Sequence, residues 1–246
     1  MTKSMAQTQE ELSLKKSDIW KVFDEISPTY DLLNHFLSFG LDIHWRGQLT
    51  KFLPRGENLR FLDLATGTAD VPILLCAKIK NSVCPYFLGV DLADKMLEIG
   101  RKKIARKNLA DKISLKHADA HNLPFEANTF DCATMAFGIR NMQDPLLVLQ
   151  QIYRVLKTEG RVLILEFSLP RNKIWQKFYL FYLRKVVPIL GGLFSGNLKA
   201  YRYLNQTVET FPYGREFCSL LKQAGFKETA AHPLMGGVAS IYAGEK

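Results

Sequence analysis

Residues 60–72, RFLDLATGTADVP, join a short apolar run to a turn of small residues and the start of a helical pattern. A strand that ends in a tight small-residue loop and feeds a helix opens a βαβ unit. In an open α/β sheet, the crevice at the carboxyl ends of the strands is where ligands bind. Asp63 stands at the strand end, and Gly67, with Ala65, Thr68 and Ala69 around it, lets a ligand approach the backbone.

Downstream, apolar runs at 60–64, 85–90, 113–117, 130–137 and 161–167 read as strands, with helical patterns at about 70–80, 94–107 and 145–157 between them. This alternation predicts an α/β, Rossmann-like fold with a mostly parallel sheet and helices on both faces. A helical pattern at 213–223 stops at Gly225, a C-cap glycine. Two further strand-like runs, FKETAAH and GVASIYAG, lie close enough to pair as an antiparallel edge hairpin, giving seven strands. The expected organisation is a single domain: a helical lid at 1–55, a ligand-binding core at 56–168, a rim insertion at 169–212, and a helix and hairpin at 213–246.

Carboxylates follow successive strands. Asp91 ends the second, where it can accept both hydroxyl hydrogens of a ribose; Asp119 and Ala120 follow the third, where Asp119 can accept from an adenine amino group. A dinucleotide site needs G-x-G-x-x-G so that a pyrophosphate fits against the backbone. Here the loop carries Ala65 and Gly67, then Val71 and Pro72, so that pattern fails. Asp63 would also set a negative charge against a pyrophosphate. A cationic, phosphate-free ligand such as S-adenosylmethionine fits better, because carboxylates attract its sulfonium and amino groups. Helix capping or turn tightening is the plainer reading of Asp63 and Asp91.

Composition is globular, with 47% apolar and 23% charged residues and a formal net charge of +9 from 33 basic and 24 acidic side chains. That excess suits nucleic acid, an anionic membrane or an acidic ligand without choosing between them. The four cysteines, at 76, 84, 132 and 218, form no CxxC pair and read as reduced thiols of a cytoplasmic protein. The polar start predicts no cleaved secretory signal, no uncharged run is long enough to span a bilayer, and no cysteine or histidine cluster suggests a metal.

Two further stretches carry a resemblance. YDLLNHFLSFGLDIHWR (30–46) and RVLKTEGRVLILEFS (154–168), with AFGIRNMQDP (136–145) between them, are similar to signatures of the family that C-methylates the quinone ring in menaquinone and ubiquinone biosynthesis. Those proteins are class I methyltransferases dependent on S-adenosylmethionine. The resemblance runs from about residue 18 to 245. It implies that Thr68, Asp91, Asp119 and Ala120 lie on the cofactor. Three departures stand out: Ala65 and Ala69 in the usually glycine-rich loop, tolerable where φ is negative; Ala136 where relatives often carry Ser; and LKTEG at 156–160 in place of a Pro-Gly-Gly turn.

Ring-carbon methylation needs an electron-rich carbon in line with a sulfonium methyl, so the implied acceptor is a reduced, prenylated quinol. The protein must position the ring, assist loss of a hydroxyl proton and stabilise the oxyanion. Arg140, after the fourth strand, suits a phenolate oxygen; a surface ion pair is its plainer reading. Asn141 reads equally as a ligand of ring or cofactor and as a helix cap. The 30–46 segment precedes the sheet and can fold over the site, with Tyr30, Asn34 and His44 as polar candidates on the acceptor. His44 has the right intrinsic pKa for a base, but packing beside Trp45 is as good a reading, and the base stays unassigned. Arg202 or Tyr203 could also reach the site.

Residues 173–196, KIWQKFYLFYLRKVVPILGGLFSG, concentrate aromatics between basic residues. They are expected to line a route for a polyprenyl tail and to touch the inner face of a membrane peripherally; ordinary core or a homodimer contact is the alternative. A methyltransferase acting on another phenolic, a sterol or another lipid is the nearest rival. A nucleic-acid methyltransferase lacks its motifs here, so no nucleic-acid partner is expected. A non-enzymatic α/β interaction domain would not need the ordered carboxylates.

Overall fold

The computed structural model describes Lys16 and residues 19–79, 85–195 and 198–246, leaving aside the side chains at 22, 23, 26, 28–30, 193–195 and 198–202. Chain order begins with helices α1 (Ile19–Leu37) and α2 (Leu41–Gln48). Then follow β1 (Arg60–Leu64), α3 (Asp70–Lys78), β2 (Tyr86–Asp91), α4 (Asp94–Arg106), β3 (Ile113–His117), β4 (Phe130–Ala136) and α5 (Pro145–Val155). Strand β5 (Leu156–Phe167) leads into α6 (Lys173–Phe181), a π-turn at Tyr182–Val186, α7 (Val187–Ser195) and α8 (Leu198–Thr210). Helix α9 (Arg215–Gln223) and the hairpin β6 (Lys227–Leu234) and β7 (Ala239–Glu245) close the chain.

Among the described residues seven strands run in the order β3-β2-β1-β4-β5-β7-β6, the mostly parallel sheet with an antiparallel edge hairpin that the alternation of runs predicts. β1 pairs in parallel with both β2 and β4, so strand order reverses beside it. Only β7 breaks the parallel pattern, entering antiparallel between β5 and β6. Strands β1 and β4 read as nearly continuous buried runs because helices cover both faces.

β5 starts five residues before the predicted run. Leu156 already pairs with Phe130, the register then shifts, and Arg161 pairs with Cys132. Glu159, with φ 62°, and Gly160 form this irregularity, so the departure in LKTEG is absorbed by a bulge far from the carboxyl ends. Asn141 caps no helix: the cap of α5 is Asp144, whose carboxylate accepts from the Leu147 N–H at 3.0 Å.

Helices α1, α6, α7 and α8 build a small apolar cluster of their own, in which Leu33 meets Tyr179, Leu183, Val187 and Val208. The Tyr182 hydroxyl donates to the Leu37 carbonyl at 2.6 Å and ties the N-terminal segment to the rim insertion. On its other side, α1 is clamped to the core: Lys103 donates to Asp31 at 2.8 Å and pairs with Asp70, while Asp24 accepts from the Lys95 N–H at 2.7 Å. The basic run at 101–107 is thus mostly a solvated helix face, with Lys103 turned inward.

Candidate active site

Two cavities meet above the carboxyl ends of the strands. The first, about 190 Å³, is walled by the loops after β1, β2, β3 and β4, with Ile19 and Trp20 of α1 across it. Gly67, Asp91, Asp119, Ala120 and Ala136, all expected in the site from sequence, line it. Gly67 has φ 55° with nothing within 4 Å of where a Cβ would stand, so the backbone itself faces the cavity. The Gly67 N–H donates to Asp91 Oδ2 at 2.8 Å and the Ala93 N–H to Oδ1 at 3.0 Å, fixing the carboxylate while each oxygen keeps a lone pair for a ligand. Burial raises the Asp91 pKa, although these backbone donors oppose the shift. At Asp119, partial burial is outweighed by hydrogen bonds from His121, and the carboxyl sits below its ordinary range.

Three expectations change here. Asp63 stands behind the wall rather than in it: it is 1% exposed, Oδ1 accepts from the Thr134 hydroxyl at 2.5 Å, and Oδ2 has no hydrogen-bond partner among the described residues. Burial pushes its pKa up to about 7. Thr68 also leaves the wall, because its hydroxyl donates to Asp31 at 2.7 Å and accepts from Lys103 at 2.9 Å. Ala65 and Ala69 sit at positive φ, 48° and 65°, not at the negative values expected for alanine. The loop keeps its left-handed turns at a cost of about 1–2 kcal/mol per alanine. Ala65 also explains Gly138, where a Cβ would lie 2.7 Å from the Ala65 methyl.

Asp63 gives a pH test. A carboxyl whose folded pKa lies above its unfolded value binds its proton more tightly when folded, so stability falls as pH rises between the two. From about pH 4 to pH 7 that group alone should remove about 1.4 kcal/mol per pH unit. Ligand-free Asp63→Asn should therefore lose less stability than the parent between pH 5 and pH 8. Parallel urea-denaturation curves for both proteins across that range would contradict the assignment.

The second cavity, about 420 Å³, is larger and mostly apolar. Phe137, Asn141 and Ile19 line both cavities, so the two share a wall. Its floor is aromatic: Phe137 and Phe167 have ring centroids 4.6 Å apart, and Trp45 lies 6.2 Å from one and 6.3 Å from the other. Arg140 lines this cavity but is no surface ion pair. It is 5% exposed, donates to Glu166 and to the Phe137 carbonyl, each at 2.7 Å, and lies 5.2 Å from the Phe167 ring centroid. Its Nε, the Asn141 Oδ1 and the Tyr203 hydroxyl are buried polar atoms with no hydrogen-bond partner among the described residues, and all three residues line the cavity. Buried polar groups rarely go unpaired, so these point to a ligand.

Asn34 lines the second cavity as expected, whereas His44 lines neither. On α2, Asp42, Trp45 and Arg46 share the buried face at helical spacing, which turns His44 outward, with its Nε2 3.1 Å from the Gln48 amide nitrogen. The side chains of Tyr30 and Arg202 lie outside those described. Sequence reasoning passed over Asp42 and Arg46, although their i, i+4 spacing was a readable signal of an ion pair.

The first cavity fits S-adenosylmethionine on its own features: an open glycine backbone, an anchored carboxylate at Asp91, and apolar Trp20 and Met142 for a flat base. Fold and site together define a class I methyltransferase dependent on S-adenosylmethionine. A solved S-adenosylmethionine-dependent methyltransferase of Thermotoga maritima superposes with a TM-score of 0.62 at 22% identity, over 92% of this chain and 99% of that one. The chain belongs to the ubiE/COQ5 methyltransferase family, whose model matches residues 11–246. It is 43% identical to the ubiquinone/menaquinone biosynthesis C-methyltransferase UbiE of Geotalea daltonii, over 96% of this chain and 99% of that protein. It is 42% identical to the demethylmenaquinone methyltransferase of Thermotoga maritima, over 94% and 96%. S-adenosylmethionine is the methyl donor.

Proposed function

We propose that the protein methylates a ring carbon of a reduced, prenylated quinol, with demethylmenaquinol as the first acceptor and the ubiquinol precursor lacking its ring methyl as the second. The observation that carries this reading is the second cavity: an aromatic floor and Arg140, Asn141 and Tyr203 atoms unpartnered among the described residues, beside the first cavity, with which it shares Asn141 and Phe137.

When bound, S-adenosylmethionine supplies a methyl group on a cationic sulfur. The protein's part is placement and charge. Asp91 holds the ribose hydroxyls and Asp119 the adenine amino group, with Gly67, Ala120 and Ala136 giving room. Phe137, Phe167 and Trp45 hold the acceptor ring flat. Arg140 faces the ring hydroxyl beside the reacting carbon, lowers its pKa and stabilises the phenolate once the proton has left to water. After transfer the ring carbon gives up its own hydrogen as a proton and that oxygen regains one, so the ring is aromatic again and one proton is released per methyl. The clamped α1 and α2 keep bulk solvent from the junction of the two cavities.

Two segments that contribute Phe39 and Phe178 to the cavity wall also expose apolar side chains. Phe39 is 77% exposed and Phe178 is 64%; Leu32, Ile174, Phe181 and Ile189 are also exposed, with Lys173, Lys177 and Lys185 nearby. No helix among the described residues is long and apolar enough to cross a membrane. This patch serves as a peripheral membrane contact through which the prenyl tail enters. Flotation with anionic phosphatidylglycerol vesicles should carry the protein up, and Phe178→Ser/Phe181→Ser should weaken binding at least tenfold, since each phenyl contributes about 1.5–3 kcal/mol when buried. Protein that stays at the bottom with such vesicles would remove the membrane contact.

Methyl-labelled S-adenosylmethionine and the two short-chain acceptors test the acceptor assignment. Label should enter the organic phase with the reduced naphthalenediol. Transfer to neither acceptor, with the cofactor still bound, would overturn it.

A further inference from the structure

A second guanidinium–carboxylate pair faces the acceptor cavity, and the methylation chemistry above makes no use of it. Arg46 lies 5.5 Å from the Phe137 ring centroid, as Arg140 lies 5.2 Å from that of Phe167. Each of these two neighbouring, mutually tilted phenylalanines therefore carries one guanidinium. Arg46 pairs with Asp42, just as Arg140 pairs with Glu166. The partners differ in one respect. Glu166 does not line the cavity, whereas Asp42 does, although it is only 4% exposed.

Asp42 is held from several sides. Ser38 Oγ donates to Oδ1 at 2.7 Å, Arg46 donates to Oδ2, and His35 Nδ1 lies 2.7 Å from Oδ2. A carboxylate has roughly four lone-pair sites, two on each oxygen. Among the described residues Oδ2 has both of its sites taken, while Oδ1 accepts from Ser38 alone and keeps one. Burial alone would raise its pKa, but the Arg46 charge, the Ser38 hydrogen bond and His35 outweigh it and leave the group below its ordinary range. Asp42 therefore brings to the cavity wall a fixed anion whose Oδ1 has one acceptor site that no described residue fills.

We propose that Asp42 accepts a hydrogen bond from the acceptor's second hydroxyl, the one para to the hydroxyl at Arg140, and so selects a 1,4-diol over a quinone or a mono-ol. The inference rests on the quinol reading above. The orientation follows from the shared wall: Asn141 and Phe137 line both cavities, so the reacting carbon and its neighbouring hydroxyl lie there, while Asp42 lines the acceptor cavity alone. A hydroxyl satisfies the open site on Oδ1. A quinone carbonyl would set a second acceptor against a carboxylate and be repelled, so redox selection takes place at binding as well as in the ring's reactivity. Asp42 is a specificity-determining residue here and takes no part in methyl transfer.

Three acceptors with the same prenyl group test this: the 3-prenyl-1,4-naphthalenediol, 3-prenyl-1-naphthol, and its 4-methoxy derivative. All keep the hydroxyl ortho to the reacting carbon. With the parent enzyme, kcat/KM should be at least tenfold higher for the diol than for the mono-ol, and lowest for the methoxy compound, whose oxygen has no proton to donate. Asp42→Asn should bring the diol and mono-ol within threefold of each other by raising KM for the diol, with cofactor affinity kept. Asp42→Asn/Arg46→Met, which removes both charges, should do the same if the single variant folds poorly. Equal kcat/KM for diol and methoxy compound in the parent, or a full diol preference in a folded Asp42 variant, would overturn the proposal while leaving the quinol reading standing. No transfer to any of the three would remove the quinol reading, and this inference with it.

Discussion

Arg140→Ala should cut methyl transfer at least tenfold while S-adenosylmethionine binds within threefold of the parent. The guanidinium lines the acceptor cavity and not the cofactor cavity, so its loss falls on the acceptor. Removing one donor to a developing oxyanion costs about 2.7–4 kcal/mol elsewhere, which sets the upper end near a thousandfold. The variant has a second effect. Glu166 is 1% exposed and would lose the partner of its ion pair, a change that costs about 3–5 kcal/mol of stability. Arg140→Ala/Glu166→Gln separates the two: stability should recover and turnover should not. Single-turnover transfer at saturating acceptor, read beside thermal denaturation, checks both. Turnover that returns with the second substitution would reduce Arg140 to a structural residue.

Asp91→Ala should weaken S-adenosylmethionine binding at least a hundredfold, the largest effect expected at the cofactor cavity. Its carboxylate accepts from the Gly67 and Ala93 N–H groups and lines the cavity, so the substitution loosens two loops and deletes the proposed ribose acceptor together. Hydrogen bonds to a charged group contribute about 1.5–3 kcal/mol each, and a hundredfold corresponds to about 2.7 kcal/mol. Asp91→Asn, which keeps one oxygen, should fall between. Because burial raises the Asp91 pKa, affinity in the parent should weaken as pH falls through a range above that of an exposed carboxylate. Calorimetric titration of the cofactor against each variant measures this; an Asp91→Ala protein that binds within threefold of the parent would contradict the site.

How much of this could be read before the structure differs by kind of residue. Strands β1 to β4 and helices α3 to α5 came within two residues, because their buried or amphipathic patterns fix both type and extent. β5 did not: its first pairing runs through a bulge at Glu159 and Gly160, and periodicity carries no signal for a bulge. Positions along the first cavity were equally readable, since Gly67, Asp91, Asp119, Ala120 and Ala136 each follow a strand whose end places them there. Side-chain commitments were not. Thr68 is drawn away by Asp31 and Lys103, which are 37 and 35 residues distant in sequence. Asp63 sits one layer too deep, with Thr134 of the neighbouring strand as its partner. His44 was chosen for its intrinsic pKa, but the face of α2 that it occupies depends on Trp45 and Arg46 packing inward. Ala65 and Ala69 show the same limit, because their sign of φ belongs to the loop and not to the residue type.

Methyl transfer should go to carbon, and only on the reduced ring. Carbon-13 methyl S-adenosylmethionine, the enzyme and a short-chain demethylmenaquinol, with and without dithionite, would be followed by carbon NMR of the extracted product. A single aryl-methyl signal that needs dithionite is expected. A methoxy signal, or an aryl-methyl signal of equal size from the oxidised quinone, would contradict it.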